Sequence, residues 1–99
     1  MPKFILTDSG YLRMGMVDMH KDLLQAGENC YGGGYYEFDF MTNRLLLRGK
    51  SYDYGKPRWD KLSFLKIPRV YEGLRLVYLS ENREGDELNI ADLLELEFV

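Results

Sequence analysis

The sequence has only one cysteine, one histidine and one tryptophan among its 99 residues. Because Cys30 cannot form a disulfide within the chain, the sequence lacks the disulfide framework that small secreted domains use. It also lacks a run of about 18 apolar residues, the length that a membrane-spanning helix requires. The apolar start of the chain, which ends at Leu6, is too short for a signal peptide. We therefore expect a cytoplasmic protein that makes no use of a membrane.

The length limits the architecture to one domain, residues 1–99, with a single core. An eight-fold β/α barrel needs about 250 residues and is excluded. Apolar residues make up 45% of the chain and charged residues 29%, which are ordinary values for a folded domain and exclude general disorder. The unusual feature is the 14% of aromatic residues, eight of which are tyrosines.

Alternating apolar and polar residues predict strands in four parts of the chain. The first two parts are hairpins over residues 3–17 and 35–48, the third is a strand over 74–79, and the fourth is a C-terminal strand over 94–98. Residues 88–90 either begin this last strand, which is then interrupted, or belong to a turn before it. The pattern therefore predicts five or six short, mostly antiparallel strands.

The second hairpin has a predicted register. If Thr42-Asn43 forms a two-residue turn, Phe40 lies opposite Leu45 on the apolar side of the hairpin. On the other side Glu37 then lies opposite Arg48, as a cross-strand pair of opposite charge. A slip of one residue would mix the two faces, so the pattern and the turn agree.

Two short helices are also predicted, over residues 19–26 and 57–66. The first follows from helical spacing of Met16, Met19, His20, Leu23 and Leu24, with Asp18 as a cap. The second follows from three-residue spacing of Trp59, Leu62 and Leu65 after Pro57. A strand competes with this second helix, because residues 62–64 also alternate. With both helices present, the fold class is α+β.

The charges are unevenly distributed along the chain, although the net charge is only −3. Residues 44–75 contain nine basic and three acidic residues, whereas residues 76–99 contain one basic and seven acidic residues. These two parts either pair with each other inside the fold or leave a basic surface exposed. A sequence pI near 5.1 argues against a dedicated nucleic-acid-binding protein.

The best candidate for a binding site is the segment 48–61, in which cations alternate with aromatic rings. Tyrosine, tryptophan and arginine are the residues that most often anchor protein interfaces. We expect this segment to bind a protein partner, through Arg48, Lys50, Tyr52, Tyr54, Lys56, Arg58, Trp59 and Lys61. The alternative is weak, salt-sensitive binding of single-stranded nucleic acid by the same residues. A purely structural alternative is that Trp59 and Tyr54 close one end of the core.

Catalytic and metal-binding patterns are weaker. Asp18, His20 and Asp22 could hold a metal or form a small active site only if the backbone is extended, since a helix would turn His20 away from the two carboxylates. No base or cation lies near Cys30 in sequence to activate its thiol. The glycines at 32–34 indicate a mobile connection. We expect a protein that is not an enzyme and has no cofactor or metal.

Self-association is a further expectation from the strand pattern. The first hairpin and the strand over 74–79 can each leave an unpaired edge, which favours pairing with another copy of the chain. The many tyrosines and the methionines Met14 and Met16 suit such an interface. The sequence thus allows a homodimer through an exposed strand edge.

Overall fold

Strands account for most of the regular structure in this computed structural model, which describes residues 1–49, 54–80 and 87–99. The described residues form eight strands: β1 (Pro2–Thr7), β2 (Leu12–Met16), β3 (Cys30–Asp39), β4 (Arg44–Arg48), β5 (Phe64–Ile67), β6 (Arg75–Leu79), β7 (Glu87–Asn89) and β8 (Glu95–Phe98). They also form four short 3₁₀ turns, at His20–Leu23, Trp59–Lys61, Arg69–Tyr71 and Ile90–Asp92. No α-helix occurs in these three ranges, so the predicted α+β class is wrong and the domain is dominated by β-sheet.

The strands form two sheets. The larger has the order β2-β1-β3-β4-β6-β7, and all its neighbours are antiparallel except the parallel pair β4 and β6. The smaller consists of β5 and β8, which run parallel to each other. The two predicted hairpins, the strand over 74–79 and the C-terminal strand correspond to β1–β2, β3–β4, β6 and β8.

One core lies between the larger sheet and the elements that cover it. Strands of the larger sheet contribute every second residue, as expected for a sheet with one face turned to the core. The smaller sheet and two of the 3₁₀ turns contribute the residues on the other side. The core residues are Phe4, Leu6, Leu12, Tyr36, Leu45, Leu47, Trp59, Leu65, Ile67, Leu76, Tyr78, Ile90 and Leu94.

The predicted helix over 19–26 is wrong. Only His20–Leu23 turns, as a single 3₁₀ turn, and Leu24 is already extended with a ψ of 138°. Met16 belongs to β2, so the helical spacing combined residues of two different elements. An eight-residue helix is also marginal without tertiary support. The predicted cap is wrong as well, because the backbone N–H of Met19 donates to Asp22 instead of being capped by Asp18.

The predicted helix over 57–66 is wrong for a similar reason. Trp59–Lys61 forms one 3₁₀ turn, after which Leu62 is extended with φ −123° and ψ 151°. Residues 64–67 then form β5, so a strand does occur here, but it begins only at the last of the residues 62–64 whose alternation favoured it. The three-residue spacing reflected a turn followed by a strand, both of which bury apolar side chains on the same side.

The register of the second hairpin differs from the predicted one by two residues. Asp39 pairs with Arg44, which leaves a four-residue loop instead of a two-residue turn. In this loop Asp39 accepts a hydrogen bond from the backbone N–H of Thr42, and Asn43 takes the left-handed φ of 56°. Because side chains alternate with a period of two, the shift preserves both faces of the hairpin. It does move Phe40 from the strand into the loop.

The described residues contain no helix that is long and apolar enough to cross a bilayer.

Candidate functional site

The part of the candidate segment that the structure describes, residues 54–61, is attached to strand β3. The backbone N–H of Gly33 donates to the carbonyl of Gly55 at 3.2 Å, and the N–H of Arg58 donates to the carbonyl of Tyr31 at 2.6 Å. Both bonds are made along one edge of β3. Further along the strand, the same edge pairs with β4. Lys50 and Tyr52 lie outside the described residues.

The glycine run that the sequence suggested as a mobile connection is part of β3 and is buried. A Cβ on Gly32 would collide with the carbonyl of Lys56 and would lie 2.6 Å from the Cα of Pro57. The positive φ of 109° at Gly32 is a second reason why a side chain is excluded there. The glycines therefore allow residues 56–57 to lie directly against the strand.

Trp59 is a core residue and is only 6% exposed. Its ring stacks with Phe4 at a centroid distance of 6.5 Å and meets Tyr78 edge-on at 5.6 Å. The polar atom of the ring, Nε1, is buried and has no hydrogen-bond acceptor among the described residues. A buried indole N–H usually has an acceptor, so this one is an exception that calls for an explanation.

A groove of about 440 Å³ runs beside this tryptophan, and we call it the Trp59 groove. Its lining is mainly apolar, and two of its leucines are well exposed, Leu88 at 38% and Leu93 at 48%. The lining residues are Pro57, Trp59, Asp60, Leu62, Leu88 and Leu93. The two exposed leucines could not be recognised from the sequence, because they follow the segment by about thirty residues and no local pattern connects them with it.

Two of the predicted cationic side chains are neutralised locally. Arg48 contacts Glu37 at 2.5 Å, and Arg58 contacts Asp60 at 3.4 Å. The predicted placement of Glu37 directly opposite Arg48 is wrong, because Arg48 lies opposite Tyr35 and the ion pair is diagonal. The hydrogen bond from Arg58 is the main cause that lowers the pKa of Asp60. Both pairs are at least half exposed, so each contributes little to stability.

The remaining described members of the segment are Tyr54, Lys56 and Lys61. Tyr54 is half-buried and meets the ring of His20 edge-on at 6.5 Å. Lys56 and Lys61 are exposed, and within the three described ranges neither forms an ion pair. The described half of the segment therefore presents lysines to solvent but keeps its largest ring inside the core.

The basic middle of the chain does meet the acidic C-terminal part at one place. Arg44 of β4 contacts Glu87 of β7 at 2.8 Å and Asp39 of β3 at 3.3 Å. These carboxylates raise the pKa of Arg44, with the hydrogen bonds to Glu87 as the largest cause. The basic and acidic parts of the chain therefore do pair with each other inside the fold at this site, which is one of the two possibilities that the sequence left open.

The three residues of the possible metal site point in different directions. His20 is 4% exposed, and its Nε2 lies 2.9 Å from the carbonyl oxygen of Gly34. Asp18 and Asp22 are both exposed. In the parts of the chain that the structure describes, no group of three His, Cys, Asp or Glu side chains is arranged to hold a metal.

Cys30 is not placed as a nucleophile. Its Sγ lies 3.1 Å from the carbonyl of Gly32, to which it donates. Burial raises the pKa of the thiol, which opposes formation of the reactive thiolate at neutral pH.

The Trp59 groove is therefore the arrangement with the clearest capacity to bind. It offers apolar surface from two leucines and a carboxylate at Asp60, and it lies beside Trp59, whose buried Nε1 has no acceptor among the described residues. Its volume lies within the range of about 300–1,000 Å³ that is typical of ligand sites. Comparisons of the chain with protein-family models, curated proteins and solved structures found no match.

Proposed function

We propose that this protein is a cytoplasmic recognition module that binds a peptide segment of a partner protein in the Trp59 groove. The observation that carries the proposal is the Trp59 groove, in which the exposed side chains of Leu88 and Leu93 offer apolar surface. The tryptophan beside them has a buried Nε1 with no acceptor among the described residues. The half-buried thiol of Cys30, for which the chain has no disulfide partner, supports a reducing compartment.

An unpaired donor favours a ligand with a hydrogen-bond acceptor. A buried polar group without a partner destabilises a fold by about 1–3 kcal/mol. A ligand carbonyl that reached Nε1 after the side chains beside Trp59 moved apart would recover part of this free energy. Every residue of a peptide carries such a carbonyl. Peptide binding therefore matches both the donor on Trp59 and the apolar surface of Leu88 and Leu93.

The charges near the groove indicate which peptides fit best. Lys56 and Lys61 are exposed and form no ion pairs within the described residues, whereas the carboxylate of Asp60 is held by Arg58. The surplus charge of residues 54–61 is therefore positive. We infer that an apolar residue flanked by acidic residues is preferred.

Binding of single-stranded nucleic acid by the same segment has less support. Stacking on bases requires an accessible ring face, but Trp59 is buried between Phe4 and Tyr78. Arg48 and Arg58 are already paired with carboxylates. Phosphate contacts would then depend mainly on exposed lysines.

The test of the proposal is selection from a displayed library of random peptides on the purified protein. Enriched peptides should share an apolar anchor, and Leu93→Ser should weaken their binding about tenfold, as expected for an interface anchor. The matched control is Met16→Ser, which changes an exposed apolar residue of strand β2 and should leave binding unchanged. Failure to enrich any peptide, or equal binding by both variants, would refute the proposal.

A fluorescence titration with nucleic acid distinguishes peptide binding from the alternative, binding of single-stranded nucleic acid. Fluorescence of the single tryptophan is followed while oligo(dT) is added at about 50 mM and about 200 mM salt, because phosphate contacts weaken steeply between these concentrations. We expect no saturable change at either concentration. A response at low salt that disappears at high salt would favour nucleic acid over a peptide.

A further inference from the structure

A second surface of the molecule, separate from the Trp59 groove, exposes large apolar side chains. Phe40 and Met41 in the β3–β4 loop are 84% and 95% exposed, and Val70, which lines a cleft together with Phe40, is 79% exposed. Phe38, Phe40 and Val70 line one open cleft of about 410 Å³. We call Phe38, Phe40, Met41 and Val70 the tip patch.

The aromatic residues of the tip patch are held in place by their neighbours. Phe40 stacks on Phe38 at 5.6 Å, and Phe38 stacks on Tyr71 at 5.7 Å. Phe38 also meets the buried ring of Tyr36 edge-on at 5.9 Å. A continuous series of rings therefore runs from the core to the solvent. Such pre-organised side chains lose little conformational entropy on binding.

The backbone that carries the tip patch is also tied to the rest of the fold. The side-chain amide of Asn43 donates to the carbonyl of Gly73 at 2.9 Å, and the N–H of Arg75 donates to the carbonyl of Asn43. These bonds join the β3–β4 loop to the connection before β6. Phe40 and Val70 consequently belong to one surface, although thirty residues separate them in the sequence.

We propose that the tip patch is a homodimer interface, occupied by the same patch of a second copy of this chain. The chain as a whole is acidic, but the described charged residues next to the tip patch in the sequence pair with one another. Asp39 pairs with Arg44, and Glu72 pairs with Arg69. In a two-fold symmetric contact a surface meets itself, so a surface of one charge would repel its copy. Paired charges avoid this repulsion.

The size of the tip patch sets the expected strength of the dimer. With roughly 150–250 Å² for each aromatic side chain, the patch presents on the order of 400–600 Å² of apolar surface. A symmetric contact would bury about twice this area, which is at the small end of specific interfaces. We therefore expect a weak dimer that dissociates in the micromolar to millimolar range.

This surface replaces the strand edge that the sequence suggested for self-association. The outer strands of the larger sheet are β2 and β7, and Met16 is the exposed apolar residue at the end of β2. The tip patch lies instead at the β3–β4 loop, between two inner strands, and includes Val70 of the Arg69–Tyr71 turn. Substitutions at Met16 and at the tip patch therefore separate the two modes of pairing.

The experiment is sedimentation equilibrium of the full chain between about 10 μM and 1 mM. The wild type should show a concentration-dependent dimer, and Phe40→Ser and Met41→Ser should each raise its dissociation constant about tenfold or more. Met16→Ser should leave the constant unchanged. Both tip residues are almost fully exposed, so circular dichroism should show that these variants fold normally.

Three results would contradict the proposed homodimer interface. The first is a wild type that stays monomeric up to 1 mM. The second is a dimer that persists in both Phe40→Ser and Met41→Ser. If the dimer is lost in Met16→Ser instead, the two copies pair through the edge of β2. The third is a monomer that sediments with vesicles of phosphatidylcholine and phosphatidylserine unless Phe40 is replaced, which would assign the tip patch to a lipid surface.

Discussion

Gly32 of strand β3 and Pro57 lie so close together that a Cβ on Gly32 would be 2.6 Å from the Cα of Pro57. Real Cβ atoms essentially never approach another atom this closely. Residues 55–58 can therefore take their observed position only because Gly32 has no side chain. This position in turn allows the next residue, Trp59, to insert into the core. The candidate site depends on a glycine more than twenty residues away in the sequence.

This relationship predicts that Gly32→Ala displaces the segment next to Trp59. We expect a loss of about 2–5 kcal/mol of unfolding free energy, because steric overlap adds to the strain of a positive φ. Gly27→Ala is the matched control, since Gly27 also has a positive φ but no atom lies within 4 Å of its added Cβ. Urea denaturation measures both variants, and equal losses would show that the contact with Pro57 has no effect.

Arg44 is predicted to contribute more to stability than Arg48. Arg44 has an exposed side-chain fraction of 16% and contacts two carboxylates from two different strands, Asp39 and Glu87. Arg48 is 52% exposed and contacts only Glu37. We expect Arg44→Met to lower the unfolding free energy clearly more than Arg48→Met, which should leave it almost unchanged. The opposite order in urea denaturation would contradict this account of the charge network.

Glu28 is predicted to make stability depend on pH. The hydrogen bond from Arg13, at 2.8 Å, is the main cause that holds the pKa of Glu28 below its ordinary value of 4.5. Since the folded pKa is lowered, the stabilising effect is complete above pH 4.5 and is lost as the pH falls through the folded pKa.

Glu28→Gln tests this dependence. At pH 7 the variant should be less stable than the wild type by about 1 kcal/mol, which corresponds to roughly 4–8 °C in Tm for a domain of this size. The difference should decrease below pH 4. Thermal unfolding at pH 7, 4 and 3 provides the measurement, and a constant difference at all three values would contradict the role of the carboxylate.

The strands were largely predictable from the sequence, whereas the helices were not. Alternation in 35–48 and 74–79 reflects a sheet with one buried face, and this local signal survives in the fold. The helical spacing of Met16 and His20 crossed an element boundary. Short segments of this kind take their conformation from tertiary contacts, such as the one between His20 and the carbonyl of Gly34.

The candidate site was predictable only in part. The sequence identified Trp59 and its cationic neighbours by their residue types, but not the burial of the ring, since this depends on its contacts with Phe4 and Tyr78. Leu88 and Leu93 join the groove through the sheet topology, which no local pattern encodes. Exposure of Phe40 followed from a two-residue change in register and was also beyond a local pattern.

The most direct test of the proposed function is the ¹H–¹⁵N spectrum of the labelled protein, in which the single tryptophan gives a single indole N–H signal. We would record it while adding the peptide that the library selection enriches most. The account predicts that the indole proton moves downfield as it gains an acceptor, together with changes at the amides of Leu88 and Leu93. A peptide that binds while this signal stays fixed, or the absence of any enriched peptide, would contradict the account.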